Sequence, residues 1–233
     1  MPPDNDTLSS EEIESIRLWI DQGAKDDRVL STPFSPANPP TYSQAPVITA
    51  MDVSPDGTLL AINGINEVVL VDLTMKQTIM RLIGQSPRIE SIKFSNNGSM
   101  LAVSGGQPGR FGELQVWEVA SGKLVQAIRA TPDSLFGVSW SPDDQVVAIG
   151  GTDNTLRAFN VQSGEQVLFQ NVAEDWIRDT VFTVDGSHLI SVGRDMTCKL
   201  TEVATERFID NITSITPGVL KGGISRRQTS VAR

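Results

Sequence analysis

The amino-acid sequence predicts an all-β fold of four similar four-stranded antiparallel sheets, preceded by one short α-helix. Three observations predict it: a polar turn recurs at a regular interval, alternating apolar runs flank every turn, and a further apolar run closes each repeat. The turns begin at residues 54, 95, 141 and 183, a period of about 43 residues. They are Ser54-Pro55-Asp56-Gly57, Ser95-Asn96-Asn97-Gly98, Ser141-Pro142-Asp143-Asp144 and Thr183-Val184-Asp185-Gly186.

The chemistry of these turns predicts hairpins. Proline presets φ for the second turn position, Asp or Asn bonds its own backbone, and Gly or Asn tolerates a positive φ. The flanking residues alternate, as in Ile177, Thr180 and Phe182, with the period of a β-strand. The third runs are Val68–Leu73, Leu114–Val119, Leu156–Val161 and Lys199–Val203.

A second class of turn follows the third run and allows a fourth strand. It is Ser121-Gly122-Lys123 in the second repeat and Ser163-Gly164-Glu165 in the third. Each repeat therefore holds four short strands joined by hairpins. One such sheet cannot bury both of its faces, so we expect neighbouring sheets to stack around an axis.

The period, the Ser-Pro-Asp-Gly turns and a third strand ending in Trp117-Glu118 resemble the WD-repeat family of β-propellers over residues 44–212. The family's Trp-Asp pair corresponds here to Val71-Asp72, Trp117-Glu118, Phe159-Asn160 and Thr201-Glu202. Its Gly-His pair is missing, so the family's buried Asp–His–Ser/Thr–Trp network cannot form. Asp153 and Asp195 match the family's turn aspartate and are expected to serve only as turn formers, with the sheets held by apolar stacking.

The resemblance implies WD-repeat propeller blades that do not complete a ring, because family members typically have seven. We predict blade 1 at 43–86, blade 2 at 87–130, blade 3 at 131–172 and blade 4 at 173–212. Ser230-Val231-Ala232-Arg233 is similar to the opening of a first strand. Residues 213–233 are accordingly predicted to be the start of a truncated fifth blade.

The residues ahead of the repeats predict one helix and a linker. Ser9 and Glu12 have the spacing of a capping box, and Gly23 supplies a C-terminal stop, so the helix is expected over 9–22. Prolines in residues 26–42 predict an extended, semi-rigid linker.

Met1-Pro2-Pro3, Leu8-Ser9-Ser10-Glu11-Glu12 and Trp19-Ile20-Asp21-Gln22-Gly23-Ala24 together resemble the C-terminal end of a bacterial c-type cytochrome domain fused ahead of WD repeats, over residues 1–25. In that family the methionine is the distal haem-iron ligand, which implies Met1 for a full-length protein carrying haem c. The Cys-x-x-Cys-His attachment motif is absent from this chain, so we expect no cofactor in this chain alone. The alternative is that Met1 is only an initiator before a surface helix.

Composition and residue counts exclude several kinds of chemistry. The net charge of −9 argues against nucleic-acid binding, and no apolar run is long enough for a membrane span. His188 and Cys198 are the only histidine and cysteine, too few for a zinc site. His188 follows the Asp185-Gly186-Ser187 turn at the start of a strand, which favours a turn histidine over the base of a catalytic triad. No small-molecule substrate is evident, and we predict no enzyme. The N-terminus lacks a signal peptide, which predicts a cytoplasmic protein, or a periplasmic one if a signal and a haem domain lie upstream.

The second repeat contains the most informative irregularity. Its loop Gly105–Glu113, between the second and third strands, is longer than its counterparts. In WD propellers such loops share one rim with the connections between blades, and partners usually dock there. The predicted partner-binding rim comprises Arg88, Arg110, Phe111, Asp133, Glu174, Asp175, Trp176 and Arg194.

Two functions remain open from the sequence. The first is a non-enzymatic protein-binding scaffold that docks a protein partner on this rim, since exposed aromatics with nearby arginine suit a binding hot spot. The alternative is an electron-transfer protein, a c-type cytochrome fused to the propeller, with its haem-attachment part missing here. Phe111 and Trp176 are equally compatible with a role as blade caps.

Overall fold

The computed structural model describes residues 9–21 and 39–213. Met1, the linker as far as residue 38 and the predicted fifth-blade start after Thr213 lie outside the described residues. The chain divides into two compact units, Met1–Pro33 and Phe34–Arg233.

The first unit contains helix α1, Ser10–Asp21. Its capping box forms as predicted: the Ser9 backbone N–H donates to Glu12 Oε2 at 2.7 Å, and the Glu12 N–H donates to Ser9 Oγ at 3.2 Å. These two bonds satisfy backbone groups that the first helical turn leaves without partners. The bond from the Ser9 backbone holds the pKa of Glu12 below its usual value.

The described residues of the second unit form four four-stranded antiparallel sheets, each a meander in chain order. The predicted fold class is therefore confirmed. The strands of the first two sheets are β1 Met51–Val53, β2 Leu59–Asn63, β3 Glu67–Asp72, β4 Gln77–Ile83, β5 Arg88–Phe94, β6 Met100–Gln107, β7 Phe111–Glu118 and β8 Leu124–Thr131. Those of the last two are β9 Leu135–Trp140, β10 Val146–Gly151, β11 Leu156–Asn160, β12 Gln166–Gln170, β13 Ile177–Phe182, β14 His188–Gly193, β15 Cys198–Glu202 and β16 Arg207–Thr213.

The recurring polar turns share one hydrogen-bonding pattern. In the first, Ser54 Oγ donates to Asp56 Oδ1 at 2.5 Å and accepts from the Leu59 N–H at 2.8 Å, while Gly57 has φ +75°. The other three turns repeat these contacts through Ser95, Ser141 and Thr183. The turn residues therefore fix where each second strand begins.

The hydrophobic core lies between consecutive sheets. Leu70 and Val68 of the first sheet pack with Phe94 and Leu101 of the second, and equivalent clusters join the second sheet to the third and the third to the fourth. Because each sheet buries an apolar face against its neighbour, stability comes from stacking of repeats.

Apolar stacking is supplemented by polar chains, which corrects the expectation drawn from the missing histidine. In the second sheet Trp117 Nε1 donates to Gln115 Oε1 at 3.1 Å, and Gln115 Nε2 donates to Glu113 Oε2 at 2.5 Å. Ser86 Oγ donates to the same carboxylate oxygen at 2.8 Å. All four side chains are buried, so these hydrogen bonds provide partners for polar groups that water cannot reach.

Asp153 and Asp195 also do more than form turns, contrary to expectation. Asp153 accepts from the Arg157 guanidinium at 2.8 Å, and Asp195 accepts from Lys199 Nζ at 2.7 Å. Lys199 is buried, and a buried ammonium requires such a partner. Each aspartate therefore neutralises a cation of the third strand.

Candidate protein-binding rim

The predicted rim lies along one edge of the four sheets. In an antiparallel meander, the hairpin between the second and third strands ends at the same edge as the connection to the next sheet. Arg110 and Arg194 lie in such hairpins, whereas Asp133 and Glu174 lie in connections between sheets. The recurring polar turns lie at the opposite edge.

The long segment of the second repeat is a strand-forming hairpin, not a loop. Residues predicted as the loop Gly105–Glu113 pair across β6 and β7 as far as Gln107 opposite Phe111, which leaves only three residues for the turn. Glycine allows this because neighbouring backbone approaches closely: a Cβ on Gly112 would lie 2.1 Å from the Asp133 carbonyl oxygen. We call this segment, residues 105–113, the rim hairpin.

Asp133 anchors the rim hairpin to the connection that follows the second sheet. Its Oδ1 accepts the Gly109 N–H at 3.0 Å and the Ser134 N–H at 2.6 Å. These backbone bonds, the Gly109 bond foremost, lower the pKa of the Asp133 carboxyl. The connection and the hairpin tip are thus held together by one ionised side chain.

A second group of rim residues forms at the joint between the third and fourth sheets. Asp175 Oδ2 accepts from Arg194 Nε at 2.7 Å, and the Arg194 guanidinium stacks 4.4 Å from the centre of the Trp176 ring. Trp176 also contacts Phe136, with ring centres 5.7 Å apart. The structure therefore brings together Asp175, Trp176 and Arg194, which the sequence had only placed on the same rim.

Charge and orientation support each other in this group. The hydrogen bond from Arg194, followed by the one from the Trp176 backbone N–H, lowers the pKa of Asp175. The Asp175 carboxylate is therefore ionised at neutral pH and holds the guanidinium over the indole. The guanidinium of Arg178, in the first strand of the fourth sheet, stacks on the ring of Phe136 in the third sheet, 4.6 Å from the ring centre. The result is a stack of two half-buried aromatic rings, Trp176 and Phe136, flanked by the exposed Arg194 on one side and Arg178 on the other.

The remaining predicted residues lie apart from this stack. Arg88 pairs with Glu90 at 2.5 Å, Arg110 is exposed at the hairpin tip, and the Glu174 N–H donates to Asp195 Oδ2 at 3.1 Å. Phe111 is half-buried under Arg129, whose guanidinium lies 4.6 Å from the ring centre.

Three rim residues were not predicted: Arg129, Phe136 and Arg178. Phe136 and Arg178 follow the equivalent buried residues Leu135 and Ile177 that open β9 and β13. Superposing the repeats position by position would have placed both beside the rim. Arg129 pairs across the sheet with Glu113, and that register depends on the unexpected length of the rim hairpin.

A groove of about 810 Å³ runs along the inner strands β1, β5, β9 and β13. Its polar side chains bond across the joints between sheets: Ser139 and Thr180 share a hydroxyl hydrogen bond of 2.8 Å, and Lys93 Nζ lies 3.4 Å from Asp52 Oδ1. These groups join neighbouring sheets.

The residues considered for chemistry have structural surroundings. His188, the first residue of β14, is hydrogen-bonded through Nδ1 to Ser187 Oγ at 2.7 Å, and burial raises the pKa of the Cys198 thiol. Within residues 9–21 and 39–213, no cluster of His, Cys, Asp or Glu could hold a metal ion. No helix in the same ranges is long and apolar enough to cross a bilayer.

The repeats match known proteins. Residues 122–160, which span β8 to β11, match the family model "WD domain, G-beta repeat". The chain is 30% identical over 149 residues to an uncharacterized WD repeat-containing protein of Synechocystis sp., covering 62% of this chain and 41% of that relative. It is 25% identical over 124 residues to the small ribosomal subunit protein RACK1 of Schizosaccharomyces pombe, covering 52% and 40%.

A further relative and a solved structure are also similar to this chain. The guanine nucleotide-binding protein subunit beta of Saccharomyces cerevisiae is 27% identical over 147 residues, covering 60% of this chain and 33% of that protein. The solved structure of Kuenenia stuttgartiensis hydrazine synthase superposes with a TM-score of 0.64 at 18% identity, covering 73% of this chain and 50% of that one. That likeness is one of fold alone.

This chain spans about two fifths of the length of the first curated relatives it matches. Such relatives are typically non-enzymatic scaffolds, and WD40 domains generally bind protein partners. The four meander sheets are those of consecutive β-propeller blades, and the matched repeat and these relatives show that the chain is similar to WD-repeat proteins.

Proposed function

We propose that this chain is a non-enzymatic scaffold that binds a protein partner through its rim, centred on Trp176. The observation that carries the proposal is the stack of Arg194, Trp176, Phe136 and Arg178. Tryptophan and arginine are enriched among the residues that dominate binding energy at protein interfaces.

The side chains of the stack are also preorganised before a partner binds. Asp175 holds Arg194 in place through a hydrogen bond of 2.7 Å, so less side-chain entropy is lost when a partner docks. Arg129 and Arg178 each cover an aromatic ring. In a chain of net charge −9, these cations favour a partner surface that carries carboxylates.

The test compares two double variants as immobilised bait in an extract of the source organism. Trp176→Ala with Arg194→Ala removes the centre of the stack. Lys123→Ala with Leu124→Ala removes a cation and an apolar side chain, both exposed, at the opposite edge. We expect a partner that binds the parent chain and the control variant but loses at least about tenfold in affinity for the rim variant.

Calorimetry with the purified partner would then give the affinities, and thermal unfolding would show that both variants stay folded. Equal affinity for the parent and rim variants would refute the rim as the binding surface.

The electron-transfer alternative rests on the sequence resemblance alone. Met1 lies outside the described residues, and a chain with one cysteine and one histidine does not fit covalent haem attachment. Upstream coding sequence decides between the two functions: a Cys-x-x-Cys-His motif with a signal peptide would favour electron transfer.

A further inference from the structure

Among residues 39–213, the two end sheets of the stack each have an apolar face that no other described sheet covers. We call the face that a sheet turns toward the next sheet its forward face, and the other its backward face. On the backward face of the first sheet Met51 is 66% exposed and Val53 47%, whereas their counterparts in the second sheet, Ile92 and Phe94, are 1% and 7% exposed.

The forward face of the fourth sheet carries a row of three apolar residues, Val181, Ile190 and Leu200, paired across β13, β14 and β15. All three are only partly buried, whereas Leu189 on the opposite face is fully buried against the third sheet. The end faces thus have the composition of a sheet-to-sheet joint, and no partner for them lies in the described part of the chain.

Side-chain size makes these two faces complementary. At each of the three joints, an alanine on the forward face of one sheet's second strand lies in the same apolar cluster as an aromatic residue on the backward face of the next sheet's first strand. The pairs are Ala61 with Phe94, Ala102 with Trp140, and Ala148 with Phe182. The equivalent forward residue of the fourth sheet is Ile190, and the equivalent backward residue of the first sheet is Val53. A larger residue on one face matches a smaller one on the other, which nearly conserves the volume of the pair.

Charge is complementary at the outer part of the same faces. One position of the fourth strand is occupied by Met80, Gln126 and Leu168 in the first three sheets. At all three joints, this part of the strand contacts the turn that precedes the fourth strand of the next sheet. A Cβ on Gly122 would lie 2.5 Å from Met80 Sδ and one on Gly164 2.9 Å from Gln126 Oε1, while Glu206 Oε2 accepts the Phe169 N–H at 2.8 Å. In the fourth sheet this strand position is Asp210, and in the first sheet the turn residue is Lys76.

The recurring polar turns provide a third match. A proline of one turn lies against a glycine of the next at two joints: a Cβ on Gly98 would lie 3.3 Å from Pro55 Cδ, and one on Gly186 3.3 Å from Pro142 Cδ. The equivalent residues at the open ends are Val184, 65% exposed, and Gly57, which has no atom within 4 Å of its Cβ position. If the two open ends met, Val184 would cover Gly57 as the prolines cover the glycines at these two joints.

We propose that two copies of this chain pair head to tail, with the forward face of each fourth sheet on the backward face of the other copy's first sheet. Each joint would then place Ile190 on Val53, Asp210 beside Lys76, and Val184 over Gly57. The two joints are identical and close a ring of eight sheets, a number within the range that propellers use.

Sedimentation equilibrium tests the proposal on the full chain. The expected species has about twice the chain mass of 25.2 kDa. Lys76→Glu or Asp210→Lys alone places like charges at both joints and should raise the dimer dissociation constant at least about tenfold. An equimolar mixture of the two variants should form a heterodimer, because both of its joints again pair opposite charges.

Lys123→Glu is the matched control, since it reverses an exposed lysine of the corresponding turn in the second sheet and should leave the dimer intact. A monomeric parent chain would overturn the proposal and indicate that a further sheet from another source covers the end faces. Open-ended assemblies would overturn the closed pair. Failure of the mixed variants to associate would overturn the assigned register.

Discussion

Replacing Glu113 by alanine tests how far the buried polar chain stabilises the second sheet. The carboxylate is the acceptor on which the chain converges, at 2.8 Å from Ser86 Oγ and 2.5 Å from Gln115 Nε2. Both donors belong to residues that are at most 4% exposed, so water cannot replace the acceptor.

The magnitude follows from the two donors left without a partner. An unsatisfied buried donor costs about 1–3 kcal/mol, so Glu113→Ala should lower the free energy of unfolding by about 2–6 kcal/mol. Ser86→Ala removes one donor and leaves the bond from Gln115, so its cost should be only about 1 kcal/mol. Glu165→Ala, at an exposed turn glutamate, should stay within about 0.5 kcal/mol.

Urea titrations followed by far-UV circular dichroism and tryptophan fluorescence measure these differences. If Glu113→Ala does not fold, Trp117→Phe provides a milder version, since it leaves Gln115 Oε1 without its donor at a cost of about 1–3 kcal/mol. If both variants lower the free energy of unfolding by less than about 0.5 kcal/mol, the buried hydrogen bonds of Glu113 and Gln115 do not stabilise the sheet.

Two further predictions concern the rim. Gly112→Ala should destabilise the protein by about 3 kcal/mol in urea titrations, because its Cβ would lie 2.1 Å from the Asp133 carbonyl oxygen. Gly109→Ala should cost less, about 1–2 kcal/mol, because no atom lies within 4 Å of that Cβ position and only the strain of φ +67° remains. Equal effects would contradict the close approach. Since the pKa of Asp175 lies below its usual 3.8, its pairing with Arg194 should be complete above pH 3.8 and be lost as the pH falls through the lowered value. Acid titration of tryptophan fluorescence should therefore show a transition below pH 3.8 that Asp175→Asn lacks; an identical titration in both proteins would refute it.

The fold could be predicted because its signals are local. Ser54, Asp56 and Gly57 act within one turn, and the strands beside it follow from alternation. The rim hairpin could not be predicted in the same way, since its glycines resemble a loop in sequence. Their role depends on the approach of the Asp133 backbone, which is distant in the chain.

The candidate site was predicted in part for a related reason. Asp175 and Trp176 are adjacent in the chain, and the repeat places Arg194 at the same edge, so their proximity follows from the topology. Phe136 belongs to the neighbouring sheet and reaches Trp176 across a joint. Contacts across a joint depend on how two sheets are rotated relative to each other, which no single repeat encodes.

One position of the third strand explains how the sheets tolerate such different sequences. Its residue is Val69, Gln115, Arg157 or Lys199 in the four sheets, and the polar partner changes with it. The two cations pair with a turn aspartate, the glutamine with a glutamate of its own strand, and beside the valine Glu67 instead pairs with Arg81 at 2.6 Å. The first, third and fourth sheets pair a carboxylate with a cation, and the second satisfies the Glu113 carboxylate by hydrogen bonds from Gln115 and from Ser86 of the preceding connection, so no sheet depends on a histidine. The forward and backward faces then need to match only in size and apolarity, which is why they retain the repeat more faithfully than the polar residues do.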